Sequence, residues 1–94
     1  MYNEISKCYL ITHYHSKLAK GNRDALFKLG LLYELQSLPN LAEIYYLLAS
    51  STGNKMALFY LAALYDDLGK YDFAELYYLK TIDENLLVVD SIIL

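Results

Sequence analysis

His13, His15 and the single cysteine, Cys8, are the one grouping in this 94-residue chain whose types suit a metal ion. Their spacing argues against that use: residues two apart on a helix point to nearly opposite sides, whereas a shared metal needs spacings of three or four. Asp66 and Asp67 are the next candidates, as a carboxylate pair for a cation. Adjacent helical positions diverge by about 100°, so the pair reads more simply as a solvated helix end ahead of Gly69. Eleven tyrosines offer acid–base chemistry or aromatic stacking. Six of them recur in pairs, Tyr33/Tyr65, Tyr45/Tyr77 and Tyr46/Tyr78, and recurrence assigns them to packing with a polar tip. No glycine-rich phosphate loop follows a strand, and no nucleophile can be set beside a base from spacing alone. The sequence therefore predicts no catalytic residue, no cofactor and no metal, and the chain is not expected to be an enzyme.

The elements that would position these residues are written twice. "GNRDALFKLGLLY" begins at Gly21 and "GNKMALFYLAALY" begins at Gly53; aligning residues 21–52 with 53–84 needs no gap and makes thirteen of 32 pairs identical. Ala25, Leu26, Leu29, Leu32 and Tyr33 fall on one helical stripe, and Leu41, Ala42, Tyr45, Tyr46 and Ala49 fall on another, so each copy is two helices. Pro39 marks a helix start, Gly69 lies just past a helix end, and "TGN" at 52–54 separates the copies. A two-helix period of this length predicts an all-α solenoid, in which each antiparallel hairpin buries its apolar face on its neighbours.

The same register extends to both ends. His13 to Lys20 falls where the second helix of an earlier copy would lie, and residues 86–94 fall where the first helix of a third copy would begin. The expected single domain is thus a half repeat (1–20), two whole repeats (21–52 and 53–84) and a short C-terminal capping helix (85–94), giving five helices and a short sixth. In that register Val89 and Ile93 take the places of Ala57 and Leu61 and pack on Tyr77 and Tyr78. The apolar remainder of "LLVVDSIIL" is expected to be shared with a second copy of the chain, a homodimer.

Composition sets limits on the partners. A net charge of −3 with eight scattered Lys and Arg residues gives no basic footprint for nucleic acid, and the acidic Glu34, Asp66 and Asp67 weigh against an RNA-binding helical repeat. The late apolar block is far shorter than the ~20 residues that cross a bilayer, so no membrane role is expected. An apolar fraction of 56% supports a core without disulfides, and one cysteine cannot form an internal bridge, which points to a reducing cytoplasmic setting.

Leu29, Gly30, Tyr33, Ala42, Tyr46 and Ala49, repeated as Leu61, Ala62, Tyr65, Ala74 and Tyr78 with Gly69 and Tyr71, resemble the tetratricopeptide repeat. The joint from Ala49 through "GN" to Ala57 is instead similar to the Sel1-like repeat, while the link inside each copy lacks that family's extra glycine-containing loop. The resemblance implies a right-handed superhelix with a concave groove lined by the first helix of each pair. On those helices the face not used for packing carries Phe27, Lys28, Leu31, Glu34 and Leu35, then Phe59, Tyr60, Ala63, Asp66 and Asp67. Phe27 and Phe59 match each other and are expected near the groove floor. Lys28/Tyr60, Leu31/Ala63 and Leu35/Asp67 differ, and differing exposed positions are where specificity resides. The family's carboxylate-binding lysines are missing apart from Lys28, so the expected ligand is an apolar or basic helix or extended peptide, bound by a non-catalytic adaptor or scaffold.

Overall fold

A computed structural model of the chain describes the backbone of residues 4–93 and the side chains of residues 5–82. It contains five α-helices, α1 (Glu4–Ala19), α2 (Ala25–Leu35), α3 (Pro39–Ser51), α4 (Lys55–Asp67) and α5 (Tyr71–Ile93), and no strand among the described residues. Each helix packs chiefly on the next one in the chain. None is long and apolar enough to cross a membrane.

The links explain why the helices stop where they do. Residue 53 and residue 21, one repeat apart, sit at φ 96° and 93°. At the other link the second copy uses Gly69 at φ 77°, but the first copy forces Ser37 to φ 61°, a region that costs a residue with a Cβ. The left-handed residue lets the following N–H turn back on the helix. Leu38 donates to the Tyr33 carbonyl at 3.0 Å, Lys70 to that of Tyr65 at 2.8 Å and Asn54 to that of Ala49 at 3.1 Å, satisfying carbonyls that a helix end otherwise leaves free. Pro39 then opens α3, where its missing N–H costs nothing. Asn54 caps α4 by accepting from the Ala57 N–H at 3.1 Å. Asn22, its counterpart, accepts from Asp24 N–H instead, and α2 starts later in its copy than α4 does.

The core follows the repeated stripe. Leu29 and Leu61 are fully buried, each worth ~1.5–3 kcal/mol of transfer free energy, and Ala25, Leu26 and Leu32 are matched by Ala57, Leu58 and Leu64. The small residues of the repeat, Gly30/Ala62, Ala42/Ala74 and Ala49, which let paired helices approach closely, are all buried. Ring pairs recur at the same offset: Tyr33–Tyr45 at 5.4 Å and Tyr65–Tyr77 at 5.5 Å, Phe27–Tyr46 and Phe59–Tyr78 both at 5.9 Å. The packing tyrosines are therefore placed as recurrence predicts.

Both ends depart from the expected lengths. The helix expected from His13 reaches back to Glu4. The short sixth helix over 85–94 does not form a separate element, because α5 continues from Tyr71 to Ile93 without a break. The chain between Ile82 and Leu86 carries no glycine or proline to stop it. Thr81, where the repeat expects alanine, is accommodated within that helix by donating its hydroxyl to the Tyr77 carbonyl at 3.0 Å. The packing expected of Val89 and Ile93, and the dimer contact expected of the apolar tail, lie outside the described side chains.

Candidate interaction groove

Residues 28, 31 and 35 stand on one face of α2 because they are spaced by three and four. Opposite them, α1 presents Leu10 and Tyr14, and α4 presents Tyr60. Together with Leu32 and Glu34 these side chains enclose a cavity of about 470 Å3. Two contacts hold α1 across α2 and so fix the distance between the walls. The Lys7 ammonium lies 3.5 Å from the Leu35 carbonyl, and His15 Nε2 lies 2.9 Å from the Tyr33 hydroxyl.

Through Tyr60 the cavity adjoins a cluster of aromatic rings. Phe27 meets Tyr60 edge-on at 5.1 Å and Tyr46 at 5.9 Å, and it touches both clusters of the core. Tyr60 bridges from there to Tyr46 at 6.1 Å and Phe59 at 5.9 Å. Tyr46 is fully buried beneath, and its hydroxyl donates to Glu34 Oε1 at 2.6 Å. Burial, then the hydrogen bond to Glu34 and its charge, push the Tyr46 phenol well above its ordinary range. Glu34 is thus committed to the protein on one oxygen. Lys28 is exposed at the rim, so the cavity has apolar walls with one cation and one partly occupied carboxylate.

The expected groove residues separate into groups. Lys28, Leu31, Glu34, Leu35 and Tyr60 come together at the cavity. Phe27 is sunk below it. Phe59 is exposed and leans on Tyr60 and Tyr78, Ala63 is half-buried, and Asp66 and Asp67 are exposed at the end of α4; none of these four lines the cavity. Leu10 and Tyr14 were not among the expected residues. The register held the signal for them, since position 14 lies one repeat before Tyr46 and position 10 one repeat before Ala42.

The residues with metal-like chemistry diverge. His13 stacks on Tyr9 at 6.4 Å and meets Tyr14 edge-on, His15 turns to Tyr33 and Tyr45, and Cys8 is exposed. Among the described residues no three His, Cys, Asp or Glu side chains are grouped.

The second tyrosine–carboxylate contact lies between α4 and α3, where the Tyr65 hydroxyl donates to Glu43 Oε2. Burial and then that hydrogen bond raise the Tyr65 phenol. No protein-family profile, curated protein or solved structure matches the chain. The resemblance to tetratricopeptide and Sel1-like repeats accordingly rests on the residues themselves.

Proposed function

We propose that this chain is a non-catalytic interaction module: a right-handed solenoid of antiparallel hairpins, of the tetratricopeptide or Sel1-like kind, that takes a helix or extended peptide from a partner protein. The observation that carries the reading is the cavity between α1, α2 and α4. Its walls use Lys28, Leu31, Glu34, Leu35 and Tyr60, all at positions that differ between copies, while matching pairs such as Ala25/Ala57 and Leu29/Leu61 are spent on the core. Leu10, Leu31, Leu32 and Leu35 favour an apolar anchor side chain, and the free edge of Glu34 favours a basic residue beside it. The exposed lone cysteine suits a reducing cytoplasmic setting.

The test is affinity capture of partners from the source cell, with the bound peptide then titrated against variants. Leu31→Ala or Tyr60→Ala should each weaken binding by ~1–3 kcal/mol if these are anchors. Phe59→Ala, outside the cavity, should leave affinity within a few tenths of a kcal/mol. Equal affinity for all three, with helical content intact, would remove the cavity from the interface.

A further inference from the structure

The outer side of α3 is apolar along its whole length. Leu41, Ile44 and Leu48 recur at spacings of three and four, Leu47 stands beside them, and the residues completing that side, Asn40 and Ser51, are uncharged. Glu43 is turned to the flank, where it accepts from Tyr65. The pattern is repeated on α5, where Phe73, Leu76 and Leu79 stand one repeat after Leu41, Ile44 and Leu47. These seven side chains are between 38% and 53% exposed. Tyr65 joins the two helices, touching Glu43 on one side and Phe73 at 5.4 Å on the other.

We infer that this face pairs with a second copy of the chain, α3 against α3 across a twofold axis with α5 at the margin. Area supports it. At about 80 Å2 for each half-exposed side chain, the face offers roughly 550 Å2 per copy, at the upper end of the ~300–600 Å2 a monomer ordinarily leaves in one patch, and about 1,100 Å2 in a dimer, just above the ~1,000 Å2 that a biological interface needs. Charge supports it as well. A twofold pairing of α3 brings no like charges together, because the stripe carries none. A lipid surface would draw on a row of Lys or Arg bordering the apolar stripe; α3 has neither, and α5 offers only Lys80, alongside the acidic Asp72 and Glu75. The 3–4 spacing of Leu41, Ile44 and Leu48 is the spacing with which two helices interdigitate. This interface uses neither the cavity nor the C-terminal tail.

The test is the mass of the full chain in solution, measured by light scattering during gel filtration over a range of loading concentrations. The wild type should run at twice 10.8 kDa. Ile44→Glu with Leu48→Glu places four carboxylates at the seam and should raise the dissociation constant by roughly 100-fold or more, giving a monomer of unchanged helical circular dichroism. Leu31→Ala in the cavity should remain dimeric, which separates this face from the peptide site. A wild type that is monomeric at every concentration overturns the proposal, as does a dimer indifferent to the two glutamates. A monomer that instead co-sediments with phosphatidylcholine vesicles assigns the face to lipid and overturns it too.

Discussion

Tyr46 and Tyr78 occupy the same place in the two copies, yet one is fully buried and the other only half-buried. The difference begins with the residue each ring meets on the preceding helix. A Cβ at Gly30 would stand 2.6 Å from two atoms of the Tyr46 ring, so that ring lies directly on the α2 backbone. In the second copy Ala62 fills the corresponding space with its own methyl, and Tyr78 turns to the edge of Phe59. The depth of Tyr46 is what brings its hydroxyl to Glu34, whereas Asp66, which replaces that glutamate, is shorter and exposed. The two tyrosines thus differ both in what lies beneath them and in what covers them: Tyr46 rests on Gly30 and meets Tyr60 of the next copy at 6.1 Å, whereas Tyr78 leans on Phe59.

The sharpest break in this comparison is truncation of the two rings. Tyr46→Ala should destabilise the chain by ~3–5 kcal/mol, the range for deleting a buried aromatic side chain, and Tyr78→Ala by less than half as much. Urea unfolding followed by circular dichroism measures both, and equal losses would mean that burial depth does not distinguish the copies.

Adding the methyl comes next in size. Gly30→Ala gains up to ~1 kcal/mol of helix propensity but must displace the Tyr46 ring, an overpacking cost of ~1–3 kcal/mol. A net loss of stability is expected, and Ala62→Gly should lose about 0.5–1 kcal/mol of propensity together with roughly 0.8 kcal/mol for its buried methyl. The smallest effect tests the link. Ser37→Gly, which gives the first copy the residue the second already has at Gly69, should stabilise by up to ~1 kcal/mol, read as a rise in the urea midpoint at constant slope.

The repeat made most of this architecture legible. Pro39, the "TGN" joint and Gly69 mark three of the links, and the small residues at 30, 42, 49, 62 and 74 identified the helix contacts because close approach leaves no other choice. What escaped depends on which helix faces which across the groove. Phe27 and Phe59 are identical in type and register, but Phe27 meets Tyr60 from the next copy, whereas Phe59 meets the same ring as its own sequence neighbour. Position 11, one repeat before Glu43, is isoleucine, so Tyr33 finds no carboxylate there and pairs with His15. Spacing within one helix cannot state either contact. The wall built by Leu10 and Tyr14 was harder still, because α1 shares few identities with α3 and α5.

Packing of each helix on its sequence neighbour has a kinetic meaning. Contacts between adjacent segments close short loops, and chains dominated by such contacts fold in microseconds to milliseconds. The same locality lets the contact between one pair of neighbouring helices open without melting the others. α1 packs chiefly on α2, through Lys7 at one end and His15 further along, with His15 also meeting Tyr45 of α3 and Leu18 reaching the cluster of Leu26, Ala49 and Ala57. Its detachment would leave the α3–α4–α5 core paired. A cavity walled by α1 on one side and by α2 and α4 on the other therefore changes its width whenever the α1–α2 contact opens locally, at a free energy below that of global unfolding.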